Sequence, residues 1–370
     1  MSEKRVYIIA GEASGDLHGS NLMRAMRKAR PNLKFRVWGG ELMEAQGGEL
    51  VKHYREMSFM GFWEVFIHLR TILGLMKHCK ADILAWKPDV VVLVDYPGFN
   101  LRMARFCKEN GIPVMYYISP QVWAWHRKRV FKIKKYVDQM ISILPFEKAF
   151  FKNYGVETAY VGHPLLDVLA DYPFATREAF FEKHGLDQNK KIIAMLPGSR
   201  RGELEKILPK MMLASDHMEG YQWVVAGVAD LKNNYQGIDA RVKVVFSDTY
   251  NVLKHAEVAL VASGTATLET ALIGTPQVVC YEISAFTYMI AKRMVKVKFI
   301  SLVNLIMDKE VIRELIQSEF NVENTRNELK KLMVPANREK IWNEYAALRS
   351  VLGGKGASER AAQVILDHLK

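Results

Sequence analysis

Asp95 is the residue of this chain best placed to take a proton from an alcohol. It follows the run Val90-Val91-Val92-Leu93-Val94 and opens the segment Asp95-Tyr96-Pro97-Gly98-Phe99-Asn100. A carboxylate at the carboxyl end of a buried strand faces the crevice where open α/β sheets hold their ligands. Partial burial there raises its pKa toward the range a general base needs. Asn100, directly before a helical pattern over 101–110, is the expected helix cap. That leaves Asp95 without a structural duty.

A second chemistry is anion binding. Three passages run from a short apolar strand through a small-residue loop into a helix: 6–10 into Gly11-Glu12-Ala13-Ser14-Gly15-Asp16, 192–196 into Pro197-Gly198-Ser199-Arg200, and 258–262 into Ser263-Gly264-Thr265-Ala266-Thr267-Leu268-Glu269. Such loops let unpaired helix N–H groups approach an anion with no side chain in the way. In the third, two threonine hydroxyls add donors. Glu269, expected in the first helical turn, is suited to accept ribose hydroxyls. In the second, the Arg200 guanidinium can grip two phosphate oxygens, whereas Arg201 is expected to be solvated. Helix capping alone explains any one of these loops; two of them in one half of the chain point to a nucleoside diphosphate.

What is missing narrows the field. Neither G-x-x-x-x-G-K-[ST] nor G-x-G-x-x-G occurs, so kinase and dehydrogenase chemistry has no motif behind it. There is no Asp-x-Asp pair to hold a divalent metal against a diphosphate. His18, His126 and His163 lie near loops without metal-ligand spacing and read as structural. No metal site and no cofactor is expected.

The elements that must hold these groups follow from hydrophobic patterning. Val/Ile-rich strand runs at 6–10, 90–94, 114–118 and 139–143 alternate with helical patterns at 17–30, 62–86, 101–110 and 146–154. After a break over 166–190 the rhythm restarts, with strands near 192–196, 223–226, 242–246, 258–262 and 277–281. Apolar strands alternating with helices imply parallel sheets covered on both faces. The fold class expected is α/β, with two Rossmann-like doubly wound domains facing a central cleft. The divisions expected are a first domain over 1–165, a second domain over 166–340 that carries the two diphosphate-type loops, and a helical segment over 341–370 packing back on the first domain or on a partner subunit.

Bulk properties agree with an anionic partner. The 370 residues carry a formal charge of +12 with 49% hydrophobic residues, a composition of folded domains with affinity for nucleic acid, anionic lipid or phosphorylated small molecules. Cys79, Cys107 and Cys280 are far apart and read as reduced cytosolic thiols. No signal peptide and no apolar run of roughly 18 residues is visible, so a soluble protein is expected. The stretch 57–76 is nonetheless more apolar than one packed helix face needs. Phe62, Trp63, Phe66, Leu69 and Leu73 in it are candidates for acyl-chain or bilayer contact. Trp123 and Trp125 beside Arg127, Lys128, Arg129, Lys132, Lys134 and Lys135, with a second cluster at Lys292, Arg293, Lys296 and Lys298, suit a membrane edge or a phosphorylated lipid. RNA binding competes for these clusters, but no RNA-binding motif accompanies them.

As a set, the segments 10–16, 94–100, 117–125, 144–148, 162–164, 196–200, 262–269, 286–293 and 301–305 resemble the lipid-A-disaccharide synthase family, glycosyltransferases of the two-domain GT-B type. They stand in family order across roughly residues 5 to 320. The resemblance implies transfer of 2,3-diacylglucosamine from UDP-2,3-diacylglucosamine to 2,3-diacylglucosamine 1-phosphate (lipid X). The products are the β-1,6-linked disaccharide 1-phosphate and UDP. It implies Asp95 as the essential aspartate, Glu12, Ser14 and Gly15 near the acceptor, and Ser199, Arg200, Gly264, Thr265, Ala266, Thr267, Glu269 and Asn304 at the donor. It also implies a cytoplasmic enzyme held peripherally at the inner leaflet of the inner membrane, with no nucleic-acid partner, and leaves a homodimer open. Two alternatives stand beside it: a UDP-sugar epimerase of the same architecture, and a non-catalytic binder of anionic membrane or RNA.

Overall fold

The computed structural model describes residues 3–57, 69–124, 127–216, 218–294 and 297–369. The chain divides into two compact units, Met1–Asp167 with Gly354–Lys370 (unit 1) and Val168–Gly353 (unit 2).

Unit 1 is built on strands β1 (Lys4–Ala10), β2 (Leu33–Gly39), β3 (Gly48–His53), β4 (Val90–Val94), β5 (Val114–Tyr117), β6 (Gln139–Ser142) and β7 (Thr158–Tyr160). Its helices are α1 (Ala13–Ala29), α2 (Glu41–Ala45), α3 (Leu69–Trp86), α4 (Pro97–Glu109), α5 (Val130–Tyr136) and α6 (Pro145–Lys152), and α7 (Leu165–Ala170) straddles the boundary. All strands are parallel in the order β3-β2-β1-β4-β5-β6-β7. Strands β4 and β5 are buried along their whole length, and β1 from Val6 to Ala10; a strand packed on both faces reads as a continuous apolar run. Each such Val, Leu or Ile contributes about 1.5–3 kcal/mol. The polar atoms that enter this core are linked: the Trp38 indole donates to the Tyr7 hydroxyl (2.6 Å), which donates to Asp82 (2.6 Å), and Asp82 receives the Arg36 guanidinium.

Unit 2 repeats the design with β8 (Lys191–Leu196), β9 (Tyr221–Gly227), β10 (Val242–Phe246), β11 (Ala256–Ala262), β12 (Gln277–Tyr281) and β13 (Glu314–Ile316). Their parallel order is β10-β9-β8-β11-β12-β13. The helices are α8 (Arg177–His184), α9 (Arg201–Ser215), α10 (Thr249–His255), α11 (Thr265–Ile273), α12 (Ala285–Met294), α13 (Leu302–Met307), α14 (Val322–Met333) and α15 (Pro335–Leu352). The last helix, α16 (Ala357–Asp367), returns to unit 1 and packs on α1.

The structure departs from the sequence expectations in three places. Strands β2, β3, β7 and β13 had no counterpart among the anticipated runs. The segment returning to unit 1 begins at 354 rather than 341, because α15 continues unbroken to Leu352 within unit 2. Helix α4 begins at Pro97, whose missing N–H and fixed φ suit a first helical position; Asn100 is therefore inside the helix and is not its cap.

In both sheets the strand order reverses beside the first strand, between β1 and β4 and between β8 and β11. Ligands of open α/β sheets bind at such switch points, outside the strands' carboxyl ends. All three strand–loop–helix passages and Asp95 lie at one or the other.

Candidate functional site

In unit 1, β1 and β4 run side by side with Ala10 opposite Val94, so the loops starting at Gly11 and Asp95 leave the sheet together. A Cβ on Gly11 would lie 2.3 Å from the Tyr96 ring, so only glycine fits beneath it. Asp95 and Tyr96 both have left-handed backbones, φ +43° and +48°. Non-glycine residues held there cost of order 1–3 kcal/mol each and persist only where their surroundings over-determine them. Here the surroundings do. The Asp95 N–H donates to the Tyr117 carbonyl (3.1 Å), and its own carbonyl accepts from the Tyr116 hydroxyl (2.6 Å) and from Asn100 Nδ2 (2.8 Å). The Tyr96 hydroxyl donates to the Met57 carbonyl at 2.6 Å. Asn100, fully buried, is thus the pin that holds the Asp95 turn, donating also toward Val94.

The carboxyl group so positioned is tuned. Burial above all, then the negative charge of Glu12 and more weakly that of Glu147, raise Asp95 to a pKa of about 7 against the opposing backbone N–H of Tyr96. Glu12 is the half-buried N-cap residue of α1. Ser14 is exposed, and Gly15 is buried so closely on Ala10 that a Cβ would lie 3.1 Å from its methyl carbon.

Glu147 was not among the expected site residues. It is buried, and burial lifts its pKa to about 7 against hydrogen bonds from Ser119, the Trp123 indole and the Leu144 N–H. Pro145 at the first position of α6 with Glu147 two residues on is the sequence signal for that capping role. Trp123, expected at a membrane edge, is a buried core residue that spends its N–H on Glu147. Of the histidines, His163 is buried, accepts the Leu165 N–H at 3.2 Å and is pushed by burial to about 3. Burial lowers His18 to about 4.

In unit 2, β8 and β11 pair with Leu196 opposite Val261. Gly198 has φ +112°, and a Cβ there would lie 2.4 Å from a Glu203 carboxylate oxygen. The Ser199 N–H donates to that carboxylate at 3.2 Å, and the Arg200 guanidinium meets it at 3.4 Å. Glu203 thus puts an anion on the backbone and guanidinium donors suited to phosphate. Arg200 is exposed, and Arg201 pairs with Glu205 on the helix surface.

Helix α11 starts on Gly264, which is exposed together with Thr265; Ala266 is half-buried. The Thr267 hydroxyl is buried and donates to the Gly264 carbonyl at 2.8 Å, so it serves the turn instead of adding a donor for an anion. Glu269 falls at the start of the second turn, not in the first. Its carboxyl, raised by burial, accepts from the Tyr250 hydroxyl at 2.9 Å. Asn304 is a larger correction. It is fully buried, Nδ2 donates to the Ile312 carbonyl (2.8 Å) and Glu314 (2.9 Å), and Oδ1 accepts the Val311 (2.8 Å) and Ile312 (3.0 Å) N–H groups. All four hydrogen-bonding positions of the amide are taken, so it acts as a positioning residue for the 311–314 segment and not as a donor contact.

Of the apolar candidates, Phe62, Trp63 and Phe66 lie outside the described residues, as do Trp125, His126 and the Leu69 side chain. Leu73, on α3, is 52% exposed. No helix among the described residues is long and apolar enough to cross a membrane.

Comparison with known proteins completes the picture. The sequence pattern of a family described as Lipid-A-disaccharide synthetase matches residues 6–367. A lipid-A-disaccharide synthase of Syntrophus aciditrophicus is 42% identical over 381 residues, covering 100% of this chain and 99% of that protein. One of Myxococcus xanthus is 40% identical, covering 99% and 97%. Among solved structures, a putative UDP-N-acetylglucosamine 2-epimerase from Listeria monocytogenes aligns with TM-score 0.69 at 15% identity, covering 99% of this chain and 95% of that one. The kitacinnamycin glycotransferase aligns with TM-score 0.66 at 15% identity, covering both chains completely. Those structural likenesses carry the fold alone, since epimerases and glycosyltransferases share it.

Proposed function

The chain belongs to the lipid-A-disaccharide synthase family, and we propose that it performs that family's reaction with Asp95 as general base and the unit 2 loops as the diphosphate cradle. It is a glycosyltransferase acting on a UDP-sugar and a lipid-X type acceptor. Asp95 accepts the proton of the acceptor's primary hydroxyl as that oxygen attacks the donor's anomeric carbon. The bond from that carbon to the UDP oxygen breaks with inversion, leaving the β-1,6 linkage. The N-terminus of α11 and the Arg200 guanidinium meet the charge that develops on departing UDP. Glu203 gives up its place on the Ser199 amide when the diphosphate arrives.

The observation that carries the role of Asp95 is its own geometry: a carboxyl group on a strained turn at a sheet switch point, with a pKa of about 7. A base poised there is half-ionised at neutral pH and well matched to proton transfer. The exposed Leu73 and the apolar residues before it serve acyl chains or the inner-leaflet surface.

Mass spectrometry of products from UDP-2,3-diacylglucosamine, with and without 2,3-diacylglucosamine 1-phosphate, tests the reaction. A disaccharide phosphate formed only with acceptor supports it. Conversion of the UDP-sugar without acceptor would instead identify an epimerase.

A further inference from the structure

Unit 1 holds a groove of about 800 Å³ bounded by α3, α4 and α5 that no part of the chemistry above uses. Six cations line it: Lys80, Arg102, Arg105, Arg129, Lys132 and Lys135. Among the described residues that line it, the one carboxylate is Glu109, which Arg105 already engages at 2.7 Å. The lining is apolar between the charges, with Leu101, Phe106 and the 59% exposed Phe131. It starts at Pro97 and Gly98, the residues that follow the Asp95-Tyr96 turn, and runs along α4.

Arg129 ties the groove to the base. Its positive charge acts on the Tyr116 phenol, whose hydroxyl donates to the Asp95 carbonyl at 2.6 Å and whose ionisation the Asp95 charge opposes. A cation bordering the groove therefore sits electrostatically within reach of the aspartate turn.

We propose that this groove receives the phosphomonoester of the acceptor. The assignment rests on the transfer reaction above. A sugar phosphate whose reacting hydroxyl lies on Asp95 carries its phosphate only a ring's width away, on the same unit. That group is close to a dianion at neutral pH, and a cluster of guanidinium and ammonium groups is the protein chemistry that binds it. The apolar lining suits the acyl chains attached to the same ring.

Kinetics in detergent micelles test it, using the full chain and acceptors with and without the phosphate. Wild-type protein should prefer the phosphorylated acceptor. Arg129→Gln and Lys132→Gln should each raise its KM about tenfold, the loss expected for one charged hydrogen bond. Both should leave the donor KM within about twofold and compress the preference between the two acceptors, and Arg129→Lys should recover part of it. An undiminished preference in both glutamine variants overturns the assignment. So does weakened binding to phosphatidylglycerol vesicles with the preference intact, which would assign the groove to membrane headgroups. Lys132 is exposed, so its variant carries the test if Arg129→Gln does not fold. Wild-type protein that makes no disaccharide from either acceptor fails at the reaction itself and takes the groove assignment with it.

Discussion

The Asp167 carboxylate receives the backbone N–H of Ser358 at 2.9 Å, joining two residues 191 positions apart. Its other oxygen receives the Gly356 N–H at 2.6 Å. The chain leaves unit 1 after Asp167 and re-enters it at Gly354, so one buried side chain binds the exit to the return. Those N–H groups stand at the start of α16, where a carboxylate also meets the positive end of the helix dipole.

Asp167→Ala should therefore loosen α16 from α1. Leaving buried donors unpaired costs about 1–3 kcal/mol, so the urea midpoint should fall by an amount equivalent to at least the lower figure. Asp167→Asn, which keeps one acceptor oxygen, should lose less. Equal stability in all three proteins would show the link to be incidental.

Asp95→Asn should lower kcat by about 10²–10⁴, the usual share of general-base catalysis, with UDP affinity unchanged by calorimetry. Stability gives an independent check. The folded pKa of about 7 lies above the unfolded value, so this carboxyl favours the fold at low pH and loses that contribution as pH rises through 7. The melting temperature of the variant relative to wild type should therefore be higher at pH 8 than at pH 5.

The same value sets the pH profile of turnover. Asp95 must be ionised to take a proton, so kcat/KM should rise with pH through a limb near 7. Glu12→Gln removes the charge that contributes to the elevation, so the limb should move to lower pH. A limb that stays in place in that variant would separate Glu12 from the base.

Much of this site could be read before any coordinates. The all-apolar β4 and the small-residue loops after β1, β8 and β11 announce themselves, because burial on both faces and bare helix N-termini leave few residue choices. What escaped is polar or short. Strand β2 carries Lys34 and Arg36, and Arg36 is tolerated because Asp82 and Glu49 pair with it across sequence distance that no local pattern records. Strands β7 and β13 have three residues each and lie at sheet edges. Asn100 and Asn304 look like loop-facing polar residues, yet both are fully buried: the Asn100 amide nitrogen donates to backbone carbonyls, and the Asn304 amide is satisfied by backbone groups together with the Glu314 carboxylate.

Asn304→Ala separates positioning from contact. The substitution strands the Val311 and Ile312 N–H groups and the Ile312 carbonyl in the interior. At about 1–3 kcal/mol for each unpaired group, the thermal midpoint should drop markedly. UDP affinity measured well below that midpoint should change only a fewfold. Abolished UDP binding in a protein of undiminished stability would return Asn304 to the donor's direct contacts.

Gly198→Ala probes the diphosphate loop through its backbone. At φ +112° a side chain is strained by about 1–3 kcal/mol, and its Cβ would press on the Glu203 carboxylate at 2.4 Å. The loop must shift, carrying the Ser199 amide and Arg200 off position, so UDP affinity should fall about tenfold, the equivalent of 1.4 kcal/mol. Removing the carboxylate in Gly198→Ala/Glu203→Ala should restore only part of that affinity, since the left-handed strain remains and the Cβ at position 203 still lies 2.8 Å away. Full recovery would mean that pressure from the Glu203 carboxylate alone had displaced the loop, and no loss in the single variant would remove this loop from the donor site.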